Sequence, residues 1–336
     1  MRLTLHAFVG PDGVMQAPGG PGEDPGAGSS LSGWSFLPIV TQDVAAAVAG
    51  WLASSAGLAA VRTPPGRVSR CDEETSMKSV TSADGTVIAY EQQGSGPALI
   101  MVDGAMSTRG GKAALRALLA PQLTVFGYDR RGRGDSGDTL PYAVEREIED
   151  IRALIEVAGG TAALYGHSSG AALALDAALQ LGNRVTKIAM YEPPYNDDPA
   201  ARQAWHRYLE QLTEVLAAGR HGDAVALFMA YVGTPAEQIE GMRQQDFWPA
   251  MAALGPTLAY DHTAILGTDA AVPVERAARL SVPALVMYGT ASFPFMAKTA
   301  RTLHQAMPDA GLRALEGQGH DVSPAALAPV LLEFLT

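Results

Sequence analysis

The stretch "TAALYGHSSGAALALDAALQLG", residues 161–182, decides the fold of this chain, because it sets a serine between two glycines where a strand pattern gives way to a helical one. Gly166, Ser168 and Gly170 match the pattern G-x-S-x-G. Such a strand-to-helix turn is strained, and it presents the serine hydroxyl at the N-terminus of a helix. The pattern therefore predicts that Ser168 is a nucleophile. The alternative is a tight glycine turn in which the serine is incidental.

Other short apolar runs surround this stretch: "ALIMVDG", "LTVFGYD", "VTKIAMYE" and "PALVMYGT". Near-continuous apolar strands are typical of a parallel sheet that is covered on both faces. Helical patterns such as "VEREIEDIRALIEVA" separate them, so we predict an α/β fold with right-handed crossovers. Ahead of these runs, "SVTSADGTVIAYEQQ" predicts two strands joined by a turn at Asp84 and Gly85.

One interval breaks the alternation of strands and helices. About eighty residues of helical pattern separate "YEPPY" from "LSVPALVMYG", which is far longer than an ordinary connection. We predict that residues 195–275 form a helical cap, inserted between the sixth and seventh strands and set over one end of the sheet. The α/β part of the chain is then expected to span residues 77–336.

Composition excludes several classes of function. The chain has 336 residues and a formal net charge of -11, which argues against binding to nucleic acid or to an anionic membrane surface. A single cysteine, Cys71, rules out a disulfide framework, and no histidines show metal-ligand spacing. The run Val44 to Val61 is long enough to span a membrane, but it is mostly Ala, Gly and Ser. We predict a cytoplasmic protein that needs no cofactor or metal.

A serine nucleophile needs a base, and in this architecture the order along the chain is serine, acid, histidine. His320 in "LRALEGQGHDVSP" follows the last strand pattern, at the place where this order requires the base. His167 adjoins the serine but faces the other side of its strand. The remaining histidines are expected to be solvated or to cap helices: His6, His206, His221, His262 and His304.

Together these motifs resemble the α/β-hydrolase superfamily. The resemblance runs from about residue 79 to residue 336 and rests on "VDGAM", "YDRRGRGDSG", "YGHSSG" and "GQGHD", in that order. It implies the α/β-hydrolase fold, a mostly parallel sheet flanked by helices, and a serine hydrolase. It does not specify the substrate, because one fold hosts many chemistries.

The position of the triad acid departs from the usual family pattern. Members usually carry an aspartate just after the strand "PALVMYGT", where this chain has Ser292. Some relatives, including many haloalkane dehalogenases, hold the acid at the end of the preceding strand, and Glu192 occupies that place. We predict that Glu192 orients His320. The alternative is that Glu192 opens the cap and pairs with an arginine or a helix N-terminus. Dehalogenase chemistry itself is disfavoured, since those enzymes use an aspartate where Ser168 stands.

The oxyanion hole is predicted at the backbone N–H groups of Ala105 and Ser169. Relatives usually carry His-Gly before the first of these residues, whereas this chain has Asp103 and a glycine. A carboxylate there would oppose a developing oxyanion unless it turned away or paired with a cation such as Arg130 or Arg131. We interpret both arginines as structural.

The substrate pocket is expected to be apolar, with walls from the cap. Its predicted aromatic residues are Trp205, Tyr208, Phe228, Phe247 and Trp248. Asp103, Met106 and Phe293 complete the predicted pocket, which would suit an uncharged acyl or aryl group. The alternative is that the aromatic side chains on these helices belong to an ordinary core.

The N-terminal segment, residues 1–76, differs in composition from the rest of the chain. Its first sixty or so residues resemble the start of bacterial dihydrofolate-reductase-like proteins of the riboflavin-reductase type, with "SGW" where relatives end in "GGW". The remainder of such a domain is missing, so we expect a poorly ordered appendage and a linker rather than a reductase.

The function predicted from these observations is cleavage of an ester, thioester or lactone of a small, apolar molecule. The predicted partner is thus a small-molecule substrate, and the protein is expected to be a monomer or homodimer. Two other classes remain open at this point. One is a cofactor-free lyase or cyclase that uses His320 as a base, and the other is a non-catalytic binding protein with the same fold.

Overall fold

The computed structural model describes residues 77–336. Eight strands form one sheet in the order β1-β2-β4-β3-β5-β6-β7-β8. Their bounds are β1 Lys78–Thr81, β2 Val87–Gln93, β3 Ala98–Val102, β4 Thr124–Tyr128, β5 Ala162–His167, β6 Val185–Tyr191, β7 Ala284–Gly289 and β8 Ala310–Leu315. The pairs β1·β2 and β2·β4 are antiparallel, and every other pair is parallel. This arrangement confirms the predicted mostly parallel sheet.

Ten α-helices connect or follow these strands within the described residues. They are α1 Ala113–Leu119, α2 Val144–Val157, α3 Ser169–Leu181, α4 Pro199–Ala217, α5 His221–Tyr231, α6 Ala236–Arg243, α7 Trp248–Ala253, α8 Val274–Ala277, α9 Pro294–Ala306 and α10 Pro324–Leu335. Short 3₁₀ turns lie at Arg109–Lys112, Gly182–Arg184 and Gly255–Thr257, and a π-helical turn spans Tyr260–Ile265.

The strand patterns explain why the sheet is covered on both faces. Successive residues of a strand point to opposite faces, and in β3 Ile100 contributes to one core cluster while Met101 contributes to the other. Buried residues of α2, α3 and α9 pack in the first cluster, and buried residues of α1 and α10 pack in the second. Because both faces are buried, the strands read as continuous apolar runs rather than as alternating ones.

The first two strands form the predicted hairpin. Its turn is closed by a hydrogen bond of 2.8 Å from the backbone N–H of Ser82 to the carbonyl of Thr86. Gly85 has φ +88°, a left-handed conformation that glycine adopts without a steric penalty. The Asp-Gly pair therefore marked the turn correctly.

The long interval between β6 and β7 is helical, as predicted. Helices α4 to α8 and the π-helical turn lie in it, and no strand interrupts them. Trp205, Tyr208 and Leu212 of α4 are buried in the main core, whereas Trp248 of α7 is buried in a smaller cluster with Val225 and Ile239. We call the residues 195–275 the helical insertion.

Several sequence predictions concern residues 1–76 and lie outside the described residues. They are the reductase-like appendage, the apolar run Val44 to Val61 and the solitary Cys71. Within residues 77–336, no helix combines the length and the apolar character needed to cross a membrane.

Candidate active site

Three neighbouring strands end at the same edge of the sheet and bring the predicted site residues together. β3 pairs with β5, and β5 pairs with β6, with His167 opposite Tyr191 in the register. Ser168 directly follows β5, and Glu192 directly follows β6. The N–H of Ser168 donates to the carbonyl of Tyr191 over 2.9 Å. The carboxyl ends of parallel strands are the usual place for an active site in an open α/β sheet.

Ser168 lies at a strained turn between β5 and α3. Its backbone has φ +57° and ψ -129°, a conformation that residues with a side chain rarely adopt. A Cβ on Gly166 would lie 2.4 Å from Cα of Ala171, and one on Gly170 would lie 2.1 Å from the carbonyl oxygen of Val102. Both glycines are therefore required by close backbone approach, as the G-x-S-x-G pattern predicts.

Glu192 and His320 are in direct contact. The Nδ1 atom of His320 lies 2.7 Å from Oε2 of Glu192. The carboxylate also accepts a 2.8 Å hydrogen bond from the N–H of Gly289 on Oε1 and a 2.7 Å bond from the hydroxyl of Ser292 on Oε2. Glu192 is 1% exposed and has φ +49°. A buried carboxylate with three partners and a strained backbone holds the imidazole of His320 in one orientation.

Within residues 77–336, Glu192 does not pair with an arginine, which was the alternative role. Its partners there are a backbone N–H, a serine hydroxyl and an imidazole. Ser292, which stands where relatives usually carry the acid, instead donates to the acid.

Two residues that the sequence did not single out fix the loop carrying His320. The imidazole Nε2 of His167 lies 2.9 Å from the carbonyl oxygen of His320, and the hydroxyl of Tyr191 donates to the carbonyl of Gly319. Burial, with help from Lys112 and His320, lowers the pKa of His167 well below its ordinary value. His167 is therefore neutral, and its Nε2–H donates to the carbonyl.

The loop after β3 carries Ala105, the first predicted oxyanion donor. The guanidinium of Arg133 donates to the carbonyl of Gly104 over 2.8 Å, and that of Arg130 donates to the carbonyl of Asp103 over 3.2 Å. The next residue, Met106, has φ +58° and packs against both the main core and the cluster of Trp248. The loop is therefore held by hydrogen bonds from the two arginines and by the packing of the Met106 side chain.

Behind this loop lies a buried cluster of charges. Arg130 binds Glu147 and Asp261, Arg133 binds Asp261, and the hydroxyl of Ser169 donates to Oδ1 of Asp261 over 2.8 Å. No sequence pattern indicated Asp261, because it lies in the helical insertion and is 92 residues away from Ser169. Its place in the buried cluster depends on long-range contacts, which a local sequence pattern does not indicate.

Arg131 is structural, as interpreted from the sequence. It is fully buried and binds Asp150 and Asp84 at 2.7 to 2.9 Å. Asp150 and its neighbour Glu147 lie in the first turns of α2, a segment for which the sequence predicted only a helix. Both are buried counterions of arginines.

The carboxylate of Asp103 is 4% exposed, and its Oδ1 has no hydrogen-bond partner among the described residues. Neither arginine proposed from the sequence pairs with this carboxylate, since Arg130 reaches its backbone carbonyl and Arg131 lies with other acids. Burial raises the pKa of Asp103 to about 6, although nearby cations, Lys112 foremost, lower it in part. The group is thus largely neutral in mildly acidic solution.

This burial predicts how stability depends on pH. The folded-state pKa of Asp103 lies above its ordinary value of 3.8, so folding disfavours the ionised form and stability falls as pH rises from about 4 through about 6. The variant Asp103→Asn should therefore gain unfolding free energy at pH 8, on the order of 3 kcal/mol, but none at pH 3. Urea titrations at both pH values measure this difference.

Asp246→Asn, which changes an exposed carboxylate in the helical insertion, is the matched control. An equal effect of Asp103→Asn at the two pH values would contradict a raised pKa.

The structure separates the predicted pocket residues into two groups. Phe293 lies beside the site, with its ring 6.0 Å from the imidazole of His320, and Met106 adjoins Ala105. Trp205 and Phe228 instead surround His262, with ring centroids 5.3 and 4.9 Å from it.

The other insertion aromatics have structural partners as well. The indole N–H of Trp205 donates to the carbonyl of Gly267, and the hydroxyl oxygen of Tyr208 lies 2.7 Å from Nδ1 of His262. Trp248 lies under the guanidinium of Arg243 at 5.4 Å and packs against Met106, while Phe247 immediately precedes it at the start of α7. These contacts favour a core role for Trp205 and Tyr208.

His262 was wrongly expected to be solvated or to cap a helix. It is 4% exposed in the π-helical turn, and burial lowers its pKa to about 4. The sequence around it, "AYDHTAI", has no regular helical period that would have shown which face is inward.

No group of three or more His, Cys, Asp or Glu side chains in residues 77–336 has the arrangement of a metal site. The site geometry consists of a serine at a strained turn, an imidazole held by a carboxylate, and a loop fixed by buried arginines. The expectation that no cofactor is needed stays a prediction.

Comparison with known proteins places this chain in a family. The model of the alpha/beta hydrolase family matches residues 104–330. The crystal structure of an alpha/beta hydrolase from Sphaerobacter thermophilus is 50% identical, with a TM-score of 0.70, and the match covers 77% of this chain and all of that one. A thermophilic esterase from Thermogutta terrifontis is 20% identical over 77% of this chain and 98% of its own, with a TM-score of 0.58, and shares the fold.

A curated relative is also similar over part of its length. An uncharacterized hydrolase, YraK, from Bacillus subtilis is 32% identical over 113 residues. The match covers 32% of this chain and 42% of that protein, so this chain spans less than half the length of the relative.

Proposed function

Because the chain belongs to the alpha/beta hydrolase family, we propose that it is a serine hydrolase acting on an ester, thioester or lactone through an acyl-enzyme. One observation carries the proposal: the imidazole of His320 is bound at Nδ1 by the buried carboxylate of Glu192, at the sheet edge where Ser168 occupies a strained turn. A nucleophile, a base and an orienting acid are the requirements of acyl transfer by serine. The order serine, acid, histidine along this chain is the one found in the α/β-hydrolase fold.

The proposed mechanism follows from which nitrogen of His320 is occupied. Nδ1 faces a carboxylate, which accepts hydrogen bonds only, so Nδ1 carries the proton and Nε2 is free to act as the base. Nε2 takes the hydroxyl proton of Ser168 as its oxygen attacks the carbonyl carbon, and the same proton then goes to the leaving alcohol or thiol. Glu192 stabilises the imidazolium that forms between these steps.

In the second half of the reaction, water hydrolyses the acyl-enzyme. Nε2 of His320 takes a proton from the water, and the tetrahedral intermediate collapses with return of that proton to Ser168. In both halves, the backbone N–H groups of Ala105 and Ser169 are proposed to stabilise the negative oxygen, which explains why the loop after β3 is so firmly held.

The proposed substrate is small and largely apolar. Phe293 beside His320 and Met106 beside the oxyanion loop are apolar surfaces adjoining the reacting groups. We propose that the helical insertion serves as the cap and that Met106 joins it to the site through the cluster of Trp248. A catalytic domain of residues 77–336 agrees with the Sphaerobacter relative, which is matched over its full length.

The proposal is tested with a fluorophosphonate, which phosphonylates activated serines. Incubation followed by intact-mass measurement should give one adduct per chain in the native protein and none in Ser168→Ala. Hydrolysis of p-nitrophenyl butyrate should be lost together with labelling. Labelling without turnover of any ester in a panel would overturn hydrolysis and favour a non-hydrolytic reaction or a binding role, and absence of labelling would overturn the activated serine itself.

A further inference from the structure

We propose that Arg133 and Asp261 are positioning residues, which orient and polarise both oxyanion N–H groups through one buried hydrogen-bonded network. The inference rests on the proposed function and deepens it, because it names residues outside the triad that determine how strongly the transition state is held. Asp261 belongs to the helical insertion, so part of the oxyanion machinery is supplied by a segment outside the sheet.

The first arm of the network acts on Ala105. Arg133 donates from Nη1 to the carbonyl of Gly104 over 2.8 Å. That carbonyl and the N–H of Ala105 belong to the same peptide group, which is planar, and in the trans form they point in opposite directions. A cation bound to the carbonyl therefore fixes the direction of the N–H. It also withdraws electron density from the peptide, which makes the N–H a stronger donor.

The second arm acts on Ser169. Its hydroxyl donates to Oδ1 of Asp261 over 2.8 Å, which fixes the residue whose backbone N–H is the other proposed donor. Oδ1 of Asp261 also accepts from Arg130 at 2.6 Å, and Oδ2 accepts from Arg133. The two donors are thus connected through a single carboxylate.

The network is sealed from solvent and permanently charged. Arg130, Arg133, Asp261 and Ser169 are each at most 1% exposed. Although burial raises the pKa of Asp261, Arg130 and Arg133 outweigh it and lower the pKa to about 2. Rigid charges in a water-excluded site need no reorganisation when negative charge develops, which is the condition for effective transition-state stabilisation.

A buried ion pair alone does not indicate function, because such pairs often add little to stability. Arg131 provides the contrast within the same loop. It is as buried as Arg133, but its recorded bonds go to Asp84, Asp150 and the carbonyl of Arg146. It therefore offers a matched control for the loss of a buried guanidinium.

The test compares Arg133→Gln, Asp261→Asn and Ser169→Ala with the control Arg131→Gln. Two measurements are made on the folded fraction: kcat and KM for p-nitrophenyl butyrate, and inhibition by an alkyl trifluoromethyl ketone, which forms a tetrahedral adduct on the serine. We expect kcat to fall about 10- to 100-fold in the first two variants and about 3- to 10-fold in Ser169→Ala, with KM within about twofold. The inhibition constant should rise by the same factor as kcat falls.

Arg131→Gln should lower the melting temperature but keep kcat within about threefold of the native value, since it leaves the oxyanion donors untouched. Equal kcat losses in Arg133→Gln and Arg131→Gln would overturn the inference. If Arg133→Gln does not fold, Ser169→Ala decides, because it removes one hydroxyl and keeps the backbone N–H. Native kcat and native inhibition in that variant would overturn the inference. A native protein that neither hydrolyses esters nor binds the ketone would instead overturn the proposed function.

Discussion

Ser168→Ala is expected to lower kcat for p-nitrophenyl butyrate by about 10⁵- to 10⁶-fold. The variant removes the atom that forms the acyl-enzyme, and no neighbouring hydroxyl can replace it, since the hydroxyl of Ser169 is bound to Asp261. KM for the residual reaction should change little. Steady-state kinetics at high enzyme concentration measures the loss.

Ser323→Ala is the matched control for this change. Ser323 is exposed at the start of α10, and its side chain makes no capping hydrogen bond, so its loss should leave kcat unchanged. A Ser168→Ala protein that keeps more than about one hundredth of native kcat would show that the hydroxyl does not carry the reaction, because oxyanion stabilisation and binding alone supply far less than the full rate.

Glu192→Gln should lower kcat by about 10³- to 10⁴-fold with little change in KM. The substitution keeps the size of the side chain but removes the charge, and its amide can donate to Nδ1 of His320. That would favour the wrong tautomer, with the proton on Nε2, and the base would be lost. Steady-state kinetics of the purified variant on p-nitrophenyl butyrate measures the loss.

Ser292→Ala tests which of the two positions, 192 or 292, matters more for orienting His320. It removes one 2.7 Å hydrogen bond to Oε2 of Glu192 and leaves the carboxylate in contact with His320. We expect a loss of about tenfold or less. If Ser292→Ala reduced kcat far more than Glu192→Gln, the assignment of Glu192 as the acid would be wrong.

The sequence was informative where chemistry follows from local pattern. The strand ends, the strained turn at Ser168 and the glycine-rich turn before His320 are each set by residues within a few positions. Glu192 came from the resemblance to relatives that hold the acid at the end of the preceding strand, and the chain order agrees with it. The contact of 2.7 Å between Glu192 and His320 is the geometry that this assignment led us to expect. The catalytic roles themselves stay predictions.

What the sequence did not show depends on contacts between distant segments. Asp261 and His262 lie in a π-helical turn whose period is neither that of an α-helix nor that of a strand, so their burial left no pattern. Glu147 lies in a segment for which the sequence predicted only a helix, and it is a buried partner of Arg130. In a sequence, a buried charged residue cannot be distinguished from an exposed one, because its counterion is known only from the structure.

The attachment of the helical insertion through Asp261 limits how this protein can be recombined with its relatives. A chimera that exchanges residues 195–275 for a segment lacking a carboxylate at this place would leave Arg130 and Arg133 with an uncompensated positive charge in the interior. The helical insertion is therefore not a segment that can be exchanged independently of the sheet loop. Directed evolution of new specificity would have to co-select the insertion with the two arginines of the sheet loop.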